Sequence, residues 1–218
     1  MKSTLFAFTF TLAAAFSATS AQAMLPANLL ANGSFETPAQ AIPDNYFFNT
    51  GSTDITGWTV VGGQTQLSYH ATCTDGNQCI DLTGIYGYNK GLRSDAVATV
   101  IGATYLLIFD LGNVDQAGFG SSTVSVSINN GAATLLTNVI NSDLSGFEWE
   151  RKSLSWVADT TSAQITILGV ANGSLSNDAG ILLDNVAFTA VPVPEPETYA
   201  LMLAGLGLVG FAARRRVA

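Results

Sequence analysis

The sequence predicts an all-β fold, a two-sheet sandwich or jelly roll, and two observations predict it. Between residues 24 and 191 no helical periodicity of useful length appears; short β-branched and aromatic runs are separated by Gly, Asn, Asp and Ser instead. In two of these runs the apolar residues recur at every second position: Val124, Val126 and Ile128, then Ala163, Ile165 and Ile167. A period of two puts those side chains on one face of a sheet, the inner surface of a sandwich. About ten such strands at this spacing make two packed sheets.

The strands are expected at 29–31, 58–62, 66–69, 79–82, 92–97, 104–111, 122–128, 133–139, 148–156, 163–170 and 180–189. Asn129-Asn130-Gly131 reads as a hairpin turn, because Asn and Gly tolerate positive φ. Trp58, Trp149 and Trp156 fall on strands and are expected in the core. Over the same span fourteen acidic residues stand against four basic ones (Lys90, Arg93, Arg151 and Lys152), a net charge of −10. That field repels nucleic acid and anionic lipid and suits divalent cations or neutral partners.

Both ends read as targeting segments flanking this domain. Lys2 is followed by an apolar stretch, Leu5 to Phe16, and by Ala21-Gln22-Ala23, a small-x-small cleavage site; residues 1–23 are therefore expected to be a secretory signal peptide. The apolar run is short for an uncleaved anchor. The domain is expected over 24–190 and a Pro-rich spacer over 191–198, then an apolar helix over 199–213 and a basic tail over 214–218. Alternate prolines make the spacer extended, and the positive-inside rule keeps Arg214, Arg215 and Arg216 in the cytoplasm. At about 1.5 Å per residue the apolar helix reaches roughly 22 Å, short for a permanent anchor and suited to a transient transmembrane sorting helix.

Pro194-Glu195-Pro196, the apolar helix and the arginine cluster, in that order, resemble the PEP-CTERM sorting signal. The resemblance implies a Gram-negative cell with an exosortase, transient inner-membrane anchoring, cleavage near the motif, and delivery to the envelope, surface or extracellular matrix. A plain tail anchor is the alternative. In an exported domain, Cys73 and Cys79, flanking Asp75-Gly76-Asn77, are expected to form one disulfide that pins a loop ahead of the 79–82 strand. Zinc ligation by these thiols and His70 lacks the paired spacing of such sites.

A second set of motifs runs through the domain: Leu29-Leu-Ala-Asn-Gly-Ser-Phe-Glu36 at its opening, Gly57-Trp58 after it, Ile80-Asp-Leu82, and Leu183-Asp-Asn-Val186 in the closing strand. Together they resemble galactose-binding-like jelly-roll domains, in particular a family of unknown function best known from plant cell-wall proteins, its bacterial choice-of-anchor relatives, and, behind them, carbohydrate-binding modules. The resemblance implies polysaccharide binding or surface adhesion. It also implies a structural Ca²⁺ held by Glu36 and Asp184 with backbone carbonyls, a role hard carboxylate oxygens suit. The alternative is that both carboxylates bond turn amides.

No catalytic constellation emerges. His70 is the one histidine, no Gly-x-Ser-x-Gly elbow presents a nucleophile, and paired carboxylates for glycoside hydrolysis are decided by spatial separation, which a count does not give. A sugar would stack on exposed aromatics, and the loop 84–91 offers Tyr86 and Tyr88 beside Asn89, although plain loop packing is the leading explanation of the two tyrosines. The expectation is a non-enzymatic surface or matrix protein that binds polysaccharide. A structural biofilm protein without a defined ligand comes second and a glycan-active enzyme third.

Overall fold

Alternating patterns in the chain resolve into two facing antiparallel sheets in the computed structural model, which describes residues 26–40, 46–69, 73–84, 87, 89–114, 121–140, 147–172, 180–192 and 196–217. The first sheet has six strands: β1 (Tyr46–Phe48), β3 (Thr65–Tyr69), β4 (Gln78–Asp81), β13 (Gly180–Ala190), β7 (Thr104–Val114) and β10 (Phe147–Val157), side by side in that order. The second has five: β2 (Trp58–Val61), β5 (Lys90–Ser94), β12 (Ile165–Asn172), β8 (Ser122–Ile128) and β9 (Thr134–Asn138). A small ribbon pairs β11 (Ser162–Ala163) with β6 (Val97–Ala98). The expected signal peptide with Ala21 and Ala23, together with His70, Tyr86, Tyr88, Pro194 and Glu195, lies outside the described residues.

The core lies between the sheets. Tyr105, Leu107, Phe109 and Leu111 of β7 face Val124 and Val126 of β8 and Ile165 and Ile167 of β12, all buried. Strand β8 alternates buried and half-buried positions from end to end, as its sequence period requires. At its end Asn129 and Asn130 both take positive φ (52° and 56°), and the Gly131 amide donates to the Ile128 carbonyl at 2.9 Å. Two consecutive left-handed residues match the twist of a tight hairpin.

Three expectations need correction. Residues 29–31 form no strand: Leu29 donates once to the Phe188 carbonyl, but the Asn28 side chain takes the neighbouring places, accepting from the Phe188 amide at 2.9 Å and donating to the Val186 carbonyl at 3.0 Å. Trp58 is buried as expected, whereas Trp149 and Trp156 are half-buried, because β10 is an edge strand. At the C-terminal side, α1 runs over Pro196–Val217, yet no helix among the described residues is long and apolar enough to cross a membrane. The apolar run 199–213 fills only part of the helix; Glu197 precedes it and three arginines follow.

Candidate functional site

The motif residues gather at one corner of the six-stranded sheet. Phe35 packs against Trp58 with ring centroids 5.5 Å apart, and the Trp58 indole N–H is shared between the carbonyls of Ala31 and Asn32 at 3.2 Å each. The Val186 amide donates to the Gly33 carbonyl, and a Cβ at Gly33 would run into the Val186 carbonyl. Glycine is required there by close approach rather than by its backbone angles. Opening segment, early Trp and closing strand are thus stitched together directly.

The expected disulfide is present, Cys73 to Cys79, and both candidate carboxylates reach into its loop. Glu36 Oε1 accepts from the amides of Asn77 and Gln78 at 2.8 and 2.7 Å. Asp184 Oδ2 accepts from the amides of Thr74 and Asp75 at 2.7 and 2.9 Å and from the Thr74 hydroxyl at 3.1 Å, while its Oδ1 takes the Asn185 amide at 2.7 Å. Gln78 Nε2 completes the clasp by donating to the carbonyls of Phe35 and Pro38.

A cation needs oxygens turned toward it, six to eight for Ca²⁺. Here N–H hydrogens face the carboxylates, and among the described residues no group of three His, Cys, Asp or Glu stands together to hold a metal. Glu36 and Asp184 as arranged fit amide bonding and do not fit a shared Ca²⁺.

A charged row continues across the outer face of this sheet, where Asp184 of β13, Asp110 of β7 and Arg151 of β10 are cross-strand neighbours. Arg151 forks onto Asp110 through Nε and Nη2 at 2.9 and 3.1 Å, and Asn185 Nδ2 adds a bond at 3.1 Å. Burial opposes ionisation of Asp110, but the bonds from Arg151, Thr74 and Asn185 outweigh it and hold its carboxyl below the usual range. Among the described residues no such cation touches Asp184. Burial is its dominant influence and pushes its carboxyl up to about 6 against the amide bonds it accepts. Asp81, a half-buried residue with its carboxylate beside Gly180, is likewise pushed up to about 6 by desolvation despite bonds from Thr83.

Of the three candidate sugar-contacting residues of the 84–91 loop, Asn89 lies among the described residues. It is exposed, takes a φ of 60°, and its amide donates to the Gly169 carbonyl at 2.6 Å, so its backbone is tied to β12. A hollow that the sequence did not single out lies elsewhere, at the open edge of the sandwich. This cleft of 310 Å³ sits between the end of β10 and the β8–β9 hairpin, with Val126, Ile128 and Leu154 as its apolar lining, Trp156 on one wall, and Thr134, Ser155 and Asp159 among its polar groups. Tyr105 and Phe188, stacked 5.1 Å apart, brace the Trp156 ring from the core side at 6.1 and 6.2 Å. The Tyr105 hydroxyl is itself fixed by accepting the Val100 amide at 2.9 Å.

A family model described as a protein of unknown function (DUF642) matches residues 28–189, from the clasp's first residue to the last strand. The chain belongs to the DUF642 family. Residues 192–216 match the PEP-CTERM protein-sorting motif, which marks an exported, surface-sorted protein processed by exosortase. A DUF642 protein of Arabidopsis thaliana, L-galactono-1,4-lactone-responsive gene 2, is 27% identical over 182 residues, 77% of this chain and 47% of the relative. The chain thus spans about half the length of that curated relative. Among solved structures, the Stig cyclase Fisc from Fischerella sp. TAU, in complex with a pyrrolidinylidene-indole, superposes with a TM-score of 0.54 at 15% identity over 76% of this chain and 98% of its own. The carbohydrate-binding module TmCBM61, in complex with β-1,4-galactotriose, gives a TM-score of 0.42 at 15% identity over 76% and 99%. At such identity the cyclase likeness is one of fold alone.

Proposed function

We propose that this DUF642 protein works outside the cell as a non-catalytic polysaccharide-binding component of the surface or matrix. The observation that carries the reading is the union of a surface-sorting motif with a rigid sandwich whose open edge presents a braced, half-buried tryptophan. Aromatic walls with a few convergent polar groups are the usual construction of small-molecule sites, and a sugar's C–H face matches an indole. The test is retention of the full chain on matrix polysaccharide from its producing cells, alongside intact mass of the recovered protein. Retention of a chain lacking residues 1–23 and the segment after the sorting motif is expected. A protein that ignores the polysaccharide sinks the reading.

A second reading, a structural matrix protein that assembles through homotypic contacts, is supported by the sheet edges. Strand β1 exposes Tyr46 and Phe47 and strand β9 exposes Leu135 (64%), and uncovered edge strands are templates for pairing. Concentration-dependent sedimentation in the absence of polysaccharide would favour it.

A further inference from the structure

The cleft beside β10 is chemically selective. Strand β10 turns Leu154 and Trp156 toward the core side, and Trp156 is held against Tyr105 and Phe188 so that its orientation is set before any ligand arrives. Preorganised aromatic surface binds without an ordering cost. The hydroxyls of Thr134 and Ser155 and the carboxylate of Asp159 are the polar side chains of the lining. Among the described residues no Lys or Arg contributes to it, and Lys152, two positions before Leu154 on the same face of β10, is engaged by Glu150 at 2.6 Å. A negative ligand entering the cleft would meet Asp159 with no compensating cation, in a domain whose charge is already −10 over residues 24–191.

We propose, resting on the polysaccharide-binding reading above, that this cleft is the sugar subsite and that it takes a neutral pyranose ring while rejecting uronates. The C–H face of the ring lies on Trp156, and its hydroxyls donate to the Asp159 carboxylate and exchange bonds with Ser155 and Thr134. The volume of 310 Å³ stands at the lower end of ligand pockets, so the site grips one short stretch of sugar rather than a long chain.

The test is affinity electrophoresis of the full chain in gels holding soluble β-glucan, galactan, xylan or polygalacturonate, with Trp156→Ala, Asp159→Ala and Thr134→Arg compared with the parent. Asp159 and Thr134 are exposed, so their replacement leaves the core intact, which keeps the test decisive should Trp156→Ala fail to fold. Expected is retardation by at least one neutral polymer, weakened about tenfold or more by Asp159→Ala and by the bulk of Thr134→Arg, with polygalacturonate bound about tenfold more weakly. Neutral-polymer binding untouched by Asp159→Ala and Thr134→Arg would overturn the subsite and leave the polysaccharide reading standing. A preference for polygalacturonate would overturn the selectivity. Retardation by none of the polymers would overturn both.

Discussion

The clasp and the cleft both draw on strands of the six-stranded sheet and could hardly differ more. At the clasp, polar side chains are consumed: Asp184 accepts four bonds, Glu36 two, and Gln78 donates to two carbonyls. At the cleft, Asp159 is exposed and a half-buried indole faces a hollow. Arg151 and Trp156, which belong to one region each, lie five positions apart on β10 and therefore on opposite faces of it. The lesson is that the motif residues Glu36, Trp58 and Asp184 hold the fold together, while the cleft able to meet a ligand lies away from them.

Substitutions can break or sharpen that contrast. Trp58→Ala should cost about 4 kcal/mol of stability in chemical denaturation, since it empties a fully buried site and strands two carbonyls. The clasp should also respond to pH. Asp184 and Asp81 titrate near 6 when folded against 3.8 for the free side chain, so each contributes stability that is present below about pH 4 and lost as pH rises through about 6. Stability should therefore rise when pH drops from 7 to 5, by about 1 kcal/mol for each group as read from the unfolding temperature, and Asp184→Asn should flatten part of that slope. Asp110 works in the opposite sense, but its folded value is below the usual range, so its loss falls at more acidic pH.

Opening the disulfide with Cys73→Ser and Cys79→Ser should cost about 2 kcal/mol, because the loop it closes is short and its amides remain bonded to Glu36 and Asp184. Chelating Ca²⁺ should leave the unfolding temperature unchanged, as measured by scanning calorimetry with EGTA; a marked drop would show that the carboxylates serve a metal after all. Asp159→Ala should change stability by less than about 0.5 kcal/mol while weakening polysaccharide retention, which separates the two regions in a single variant.

How far these regions were legible depends on the range of the interactions that make them. Strand β8 was readable residue by residue because its period of two is a local property. The Asn129-Asn130 turn and the Cys73–Cys79 bridge were readable for the same reason, being settled within a few positions. Residues 29–31 read as a strand from their apolar run, but a side chain, Asn28, supplies most of the pairing to β13, and a pattern of hydrophobicity does not register that exchange. Glu36 and Asp184 stood out, yet their partners include amides 41 to 42 and 109 to 110 positions away, and backbone donors look alike in any sequence.

By itself the sequence determined a β-sandwich domain with a C-terminal sorting motif, a disulfide and an acidic charge, since composition, period and spacing are written along one dimension. Only the tertiary structure decided that β10 is an edge strand. That placement leaves Trp156 half-covered and opens the cleft beside it, because the exposure of a side chain depends on which strands lie next to its own, and sheet order is set by pairing between residues far apart in the chain.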